Sequence, residues 1–280
     1  MTRGATQSVD GESATAGLIL RDCPHCTSSS FQKSETYSKD VWSVGQCVDC
    51  DFVYLKNVPD YSRMIDEFAW EKTSSVETDR RQKERPLTKR FGQSLRRAVA
   101  PFKKTESALF AQLFQSGRVL SVGCGAGEAM PTTLTPFGVE LSRELYAMAD
   151  QWMRNAGGYC VHAPAVEGID QFDDNFFTGI VLRSFLEHEW QPKKLLKNAH
   201  RVLREDGGIF VRVPNFASYN RKFYGSKWCG LRYPDHVNYL TPESLQTMAV
   251  DCGFNMRILN PLNLAFDDNI KAVLTKARPS

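Results

Sequence analysis

A short β-branched run, Arg118-Val-Leu-Ser-Val122, passes directly into Gly123-Cys-Gly-Ala-Gly127. A strand that ends in alternating glycines must turn tightly. Glycine takes backbone angles that other residues resist, and it lets a ligand approach the backbone without a Cβ in the way. A helix N-terminus after such a turn would favour a carboxylate or a phosphate. Gly138-Val-Glu140-Leu-Ser reads as the end of a second strand, with Glu140 seventeen residues after Gly123. An α/β nucleoside site places the carboxylate for both ribose hydroxyls at about that distance. The turn is G-x-G-x-G and not G-x-G-x-x-G, which points from a dinucleotide towards an adenosyl cofactor.

Alternation of strand and helix continues along the chain. Leu141, Leu145, Met148 and Trp152 mark one face of a helix. Gly158-Tyr-Cys-Val-His162 and Gly179-Ile-Val-Leu182 read as the third and fourth strands. Leu195, Leu196, Ala199, Val202 and Leu203 form the next helix face, which stops at Asp206-Gly-Gly208. Ile209-Phe-Val-Arg-Val213 is a fifth strand, Pro242 to Cys252 a helix closed by Gly253, and residues 255–259 and 270–275 two closing strands. The pattern predicts an α/β fold: a Rossmann-like, mostly parallel, seven-stranded sheet with helices on both faces.

Ahead of this stand Cys23-Pro-His-Cys26 and Cys47-Val-Asp-Cys50. A C-x-x-C turn aims two thiolates at one point, and two such turns close a tetrahedron around zinc. Four thiolates leave no open position for water, so the predicted metal is structural and the chemistry lies elsewhere. His25 is expected to be a solvated residue of the first turn. Cys124, Cys160, Cys229 and Cys252 share no spacing and read as small buried apolar residues.

The chain carries a net charge of +3, so nothing global demands nucleic acid or membrane. It has no run of 18 or more apolar residues, and its Ser/Thr/Ala/Gly-rich start lacks the apolar core of a secretory signal. A cytoplasmic location with reduced cysteines is the expectation. Charge is uneven, however. Residues 79–104 hold ten Lys/Arg against Asp79 and Glu84, a net +8 that leaves the rest at −5. Leu87, Phe91, Leu95, Val99 and Phe102 give this stretch helical spacing, which reads as a solvated connector or as a strip for an anionic partner such as a nucleotide-linked sugar or RNA.

Taken together, these residues resemble the class I S-adenosylmethionine-dependent methyltransferases, in the bacterial branch with an N-terminal zinc ribbon. The likeness covers about residues 21–275. Besides the glycine turn and Gly138-Val-Glu-Leu-Ser142, it rests on Asp174-Asn-Phe-Phe177, Leu186-Glu-His188, Arg201-Val-Leu-Arg-Glu-Asp-Gly-Gly208 and Val213-Pro-Asn215. Phe223-Tyr-Gly-Ser-Lys-Trp228, Pro234-Asp-His236 and Leu240-Thr-Pro-Glu-Ser-Leu245 are similar to the branch's substrate-facing segment. Composition, motifs and resemblance together divide the chain into a flexible tail over 1–20, a zinc ribbon over 21–57, a helical, basic connector over 58–115 and a methyltransferase domain over 116–280. The resemblance implies S-adenosylmethionine over Ser121, Gly123, Cys124, Gly125 and Gly127, ribose on Glu140, and adenine near Val166 and Glu167. The branch methylates sugars, polysaccharides and small natural products, so a small-molecule or sugar acceptor is expected, with O- ahead of C-methylation. An RNA or protein methyltransferase using the basic connector, and a non-catalytic S-adenosylmethionine-binding protein, are the alternatives. This chain departs from the family at Ser121, where an acid is usual, and at Thr178, where Asp is common. Only ten residues, with Pro131 and Pro136 among them, separate Gly127 from Gly138, so the first helix and second strand should be short.

Methyl transfer is an in-line displacement at a sulfonium, which asks the protein to align the acceptor and to remove its proton. His236 is the candidate base, because it lies among Tyr224, Trp228, Tyr233 and Asp235, aromatics that could line an acceptor pocket. His188 and Glu187, after the fourth strand, are the further catalytic candidates. Glu187, His188 and Glu189 form an alternative set for a divalent ion.

Overall fold

The computed structural model describes residues 18–59 and 106–278. The basic stretch 79–104 lies outside the described residues, as does most of the predicted tail.

Residues 18–59 fold as small antiparallel sheets around the four cysteines. Strand β1 (Leu18–Leu20) pairs with β5 (Asn57–Pro59), so residues 18–20 are a strand where a tail was expected. Strands β2 (Phe31–Lys33), β3 (Val44–Cys47) and β4 (Val53–Leu55) form a second sheet. Its fourth member is β11 (Asn238–Tyr239), which comes from the far end of the chain and pairs with β4. The ribbon is therefore completed by the domain it precedes.

Helix α1 (Glu106–Phe114) leads into the main sheet through Phe110 and Phe114, which are buried against Phe210 and Gly179. That sheet has seven strands in the order β12-β13-β10-β9-β6-β7-β8. The parallel core is β6 (Gly117–Val122), β7 (Leu134–Glu140), β8 (Cys160–His162), β9 (Phe177–Arg183) and β10 (Leu203–Pro214), and β12 (Phe254–Ile258) and β13 (Asn269–Lys276) close it antiparallel. Val119, Leu120, Val122, Ile180, Val181 and Leu182 are all buried, as expected of strands covered on both faces. The remaining helices are α2 (Arg143–Asn155), α3 (Ala165–Ile169), α4 (Pro192–Val202), α5 (Tyr219–Tyr224) and α6 (Pro242–Asp251). Strand β6 has β7 on one side and β9 on the other, so the connections leaving it reverse direction there. A crevice at such a reversal, outside the carboxyl ends of the strands, is where open α/β sheets bind ligands.

Four expectations are corrected. No helix occupies the segment between Val122 and Leu134; it runs as turns and coil. Pro131 withholds a donor, and the few residues before it cannot repay helix nucleation. The second strand is not short: β7 has seven residues, and Pro136 within it loses one donor while its fixed φ still suits extended chain. The inward face of α2 is Ala149 and Met153, whereas Met148 is exposed and Leu141 precedes the helix. Ser142 caps α2 through the Leu145 N–H and so sets its rotation. Met153 then packs at Gly138, where a Cβ would lie 2.8 Å from its Cε. Helix α4 likewise ends at Val202, and Leu203 already belongs to β10.

A second core joins the ribbon to the domain. Val44, Leu55 and Val58 pack with Phe216, Trp228, Leu231, Val237 and Tyr239.

Candidate active site and metal centre

At the end of β6 the chain turns through Gly123 (φ +64°) and Gly125 (φ +58°). A Cβ at Gly123 would lie 2.4 Å from the Phe185 ring, so that position must be glycine. A Cβ at Gly125 would meet nothing within 4 Å, which makes this the open face of the turn. The helix N-terminus expected here is missing, so the turn's backbone alone forms the cradle.

Glu140 closes the cradle from the end of β7. Its Oε1 accepts the N–H groups of Leu141 and Ser142, both at 2.9 Å, and its Oε2 accepts that of Gly125 at 2.8 Å. A carboxylate offers about four acceptor positions, so the one remaining is on Oε2 beside the turn. Two ribose hydroxyls would have to share it. Ser121 is buried under the turn, and Cys124 is buried with its Sγ 3.6 Å from that of Cys160. These two cysteines, unrelated in spacing, meet because β7 lies between their strands' ends. Val166 is buried in α3 and Glu167 exposed beside it, at the same sheet edge beyond His162. The residues fit an adenosyl cofactor: an open glycine face, a carboxylate with one free lone pair and an apolar residue on the next strand's exit.

Beyond β9 the chain enters Leu186-Glu-His-Glu189. Ser184, with φ +52°, redirects it out of the strand. Asn238 then fixes this segment: its Nδ2 donates to the carbonyls of Leu186 and Glu189, each at 2.7 Å. Its Oδ1 accepts from Arg21 Nη2 of the ribbon at 2.6 Å. Burial pulls the Arg21 pKa down to about 10. Neither Asn238 nor Arg21 was legible as a site residue, since each acts across more than two hundred positions or through a strand of two residues.

His188 and His236 meet edge to face with ring centres 4.8 Å apart. His188 Nδ1 lies 2.9 Å from Asp235 Oδ1. Burial opposes its charge, but Asp235 and Glu187 outweigh burial and raise it to about 9. Asp235, which also pairs with Arg232, is held well below the usual carboxylate range by His188 despite its own burial. His236 is buried, and burial together with the His188 charge pushes its pKa well below 6.5. Its Nδ1 donates to the Gly230 carbonyl at 2.8 Å, and Arg232 Nη1 lies 3.4 Å from its Nε2. Glu187 is fully buried; burial raises its pKa to about 7, and its Oε2 has no hydrogen-bond partner.

One donor atom each of Glu187, His188 and His236 lies within 4.8 Å of the others. The Arg232 guanidinium at the open nitrogen of His236 disfavours a cation there. Glu189 is elsewhere, accepting the Gln191 N–H at 2.7 Å. The cluster is therefore a buried set of titratable groups tied to Asp235, Arg232 and the Gly230 carbonyl. The aromatic lining expected beside it is corrected as well. Trp228 is fully buried and donates to Asp268, Tyr233 hydrogen-bonds the Tyr37 carbonyl, and Tyr224 packs in the same ribbon-facing core.

In the ribbon the four thiols converge. Cys23 and Cys50 Sγ lie 3.5 Å apart, as do those of Cys26 and Cys47, and all four fall within 4.8 Å of one another. A zinc with bonds of ~2.3 Å sets tetrahedral edges of about 3.8 Å, close to these separations. His25 is not solvated: it is 8% exposed, stacks on Phe52 at 5.9 Å, and places Nε2 3.7 Å from Asp251 of α6.

A family model described as a methyltransferase domain matches residues 91–258, more than half of the chain. An uncharacterized protein of Methanocaldococcus jannaschii is 26% identical over 151 residues, covering 54% of this chain and 71% of that protein. A SAM-dependent methyltransferase from Archaeoglobus fulgidus superposes with TM-score 0.47 and 15% identity, over 70% of this chain and 97% of that one. The YcgJ protein from Bacillus subtilis gives TM-score 0.47 and 17% identity, over 61% and 96%. Structural likenesses at these scores carry no weight of their own; the family match does. With its glycine cradle, Glu140 and seven-stranded sheet, the chain belongs to the methyltransferase-domain family and is a class I S-adenosylmethionine-dependent methyltransferase.

Proposed function

We propose that this enzyme methylates a hydroxyl of a small polar acceptor, with a sugar the best fit, and that Glu187 takes the acceptor's proton. One observation carries the acceptor class. A cleft of about 450 Å³ is lined by Asn220, Asn263, Asp267, Asn269 and Lys271 with the ring of Phe266. Asn269 pairs with Pro214 at the carboxyl end of β10, so the cleft opens at the sheet edge that carries the glycine turn and Glu187. Amides, carboxylates and one exposed aromatic suit a ligand rich in hydroxyls.

The bound cofactor supplies an electrophilic methyl on a sulfonium. Glu140 and the glycine turn hold its nucleoside end. Glu187 has an unpartnered oxygen that a bound acceptor would reach by displacing the cover that buries it, while His236 has its ring nitrogens engaged by Gly230 and Arg232, and His188 is charged at neutral pH. The geometry thus favours Glu187 over His236 as the base.

Turnover on a panel of nucleotide sugars, phenols and RNA tests the acceptor. Methylation of a sugar hydroxyl is expected. Methylation of RNA alone, with binding that weakens steeply with salt, would favour the reading based on the basic connector.

Four-thiolate zinc completes the reading, supported by the sulfur separations. Elemental analysis is expected to find about one zinc per chain. Chelation should speed amide exchange in residues 21–59 and in β11, and leave the seven-stranded sheet protected. Ribbon amides that stay protected after zinc removal would count against the metal's structural role.

A further inference from the structure

Four charged side chains gather beside the glycine turn: Glu106, Glu128, Arg183 and Arg212. Glu106 is well compensated, with Arg212 Nη1 at 2.6 Å and Arg183 Nη1 at 3.0 Å. Glu128 is not. Its side chain is 8% exposed, and its ion pair is to the same Arg183 Nη1, at 3.4 Å. Burial is the chief influence on its carboxyl and raises its pKa, Arg183 works against that, and Glu106 adds to it. A buried carboxylate whose ion pair is shared with Glu106 has room for a second cation.

Its position says which cation. Ser121 pairs with Val181 across β6 and β9, so Arg183 stands level with Gly123, where the turn begins. Glu128 directly follows Gly127, where the turn ends. One negative and one positive side chain thus bracket the turn. Ser121 contributes no charge at the strand end; its hydroxyl helps hold the Glu128 carboxylate. Among the described residues the ion pairs of Arg183 run through Nη1 alone, and 37% of its side chain is exposed. These ion pairs leave the other guanidinium nitrogens for a ligand, and a guanidinium's forked donors suit a carboxylate. The coil that replaces the expected helix is what brings Glu128 inward.

The geometry points to Glu128 and Arg183 as the receptor for the amino-acid end of the cofactor, Glu128 accepting from its α-ammonium and Arg183 donating to its α-carboxylate. This rests on the S-adenosylmethionine reading of the turn. A ligand with both charges on one carbon would give Glu128 a second cation and the half-exposed Arg183 a carboxylate. The two contacts would also fix the sulfonium's direction towards the acceptor.

Calorimetry with two ligands tests this. S-adenosylhomocysteine carries the amino-acid end; 5′-methylthioadenosine has the same nucleoside and thioether without it. Glu128→Gln, isosteric and so gentle to the fold, should weaken S-adenosylhomocysteine about ten- to a hundredfold and leave methylthioadenosine within about twofold. Arg183→Lys, which keeps the charge but loses the fork, should do likewise. Equal loss of both ligands would make the pair a support for the turn and overturn the inference, as would unchanged affinity for both. Wild-type protein that binds neither would overturn the cofactor reading, and this inference with it.

Discussion

Glu140→Ala is expected to weaken S-adenosylhomocysteine binding by at least about 10²-fold and to lower the unfolding midpoint. Two losses combine. The ligand loses one charge-assisted hydrogen bond at Oε2, about 1.5–3 kcal/mol or roughly ten- to a hundredfold. The cradle loses its brace, because the N–H groups of Gly125, Leu141 and Ser142 all donate to this carboxylate. Each left unpaired when buried costs about 1–3 kcal/mol. Glu140→Gln separates the two losses, since the amide oxygen can still accept on one side. It should bind more tightly than the alanine variant and more weakly than wild type. Calorimetry measures both, and an alanine variant with wild-type affinity would remove Glu140 from the cofactor site.

Glu187→Gln should lower turnover by about 10²–10⁴-fold, the range for loss of a general base, while leaving S-adenosylhomocysteine affinity unchanged. The wild-type pH profile carries the sign. Burial raises the Glu187 pKa to about 7, and a base must be unprotonated. Turnover should therefore fall as pH drops through about 7, and Glu187→Gln should lack that limb. Stability responds the other way. The folded protein retains this proton to about 7, whereas the unfolded chain releases it at the ordinary carboxylate value, so stability declines as pH rises between the two. Glu187→Gln should flatten that decline. His236→Gln, which keeps a donor for the Gly230 carbonyl, should preserve the acid limb. Loss of the limb in that variant would transfer the base to His236.

The His188–Asp235 pair has its own pH window. The His188 charge is favoured in the fold, so its contribution is fully present below about 6.5 and is lost as pH rises to about 9, whereas that of Asp235, held below its ordinary value, is lost as pH falls below about 3.8. His188→Asn should reduce the alkaline loss of stability seen by thermal unfolding.

Much of the fold was legible because it depends on local pattern. The β6 sequence, the glycines and Glu140 all lie within 23 residues of Arg118, and strand alternation and turn chemistry act over such lengths. The two C-x-x-C turns converge for the same reason: each pair is local, and the short strands β2 to β4 bring them together. The pattern misread the segment after Gly127, where a family-like helix was expected. Pro131 and too few residues decided for coil, and that outcome places Glu128 beside Arg183.

The sequence by itself determined the strand–turn cradle, the order along the chain of the main sheet's seven strands, and the thiol pairs, since each rests on neighbours along the chain. Only the tertiary structure decided which side chains meet at the candidate site. Tyr224, Trp228 and Tyr233 carry the composition of a pocket wall, yet they pack towards the ribbon, because their segment leads into β11 and β11 completes the ribbon sheet. Asn238 can fix Leu186 and Glu189 only once that strand is in place. The ranking of Glu187, His188 and His236 was likewise closed to the sequence. Three titratable groups of ordinary type acquire different protonation because burial and the charges of Asp235 and Arg232 act through space, over distances that the order of residues does not encode.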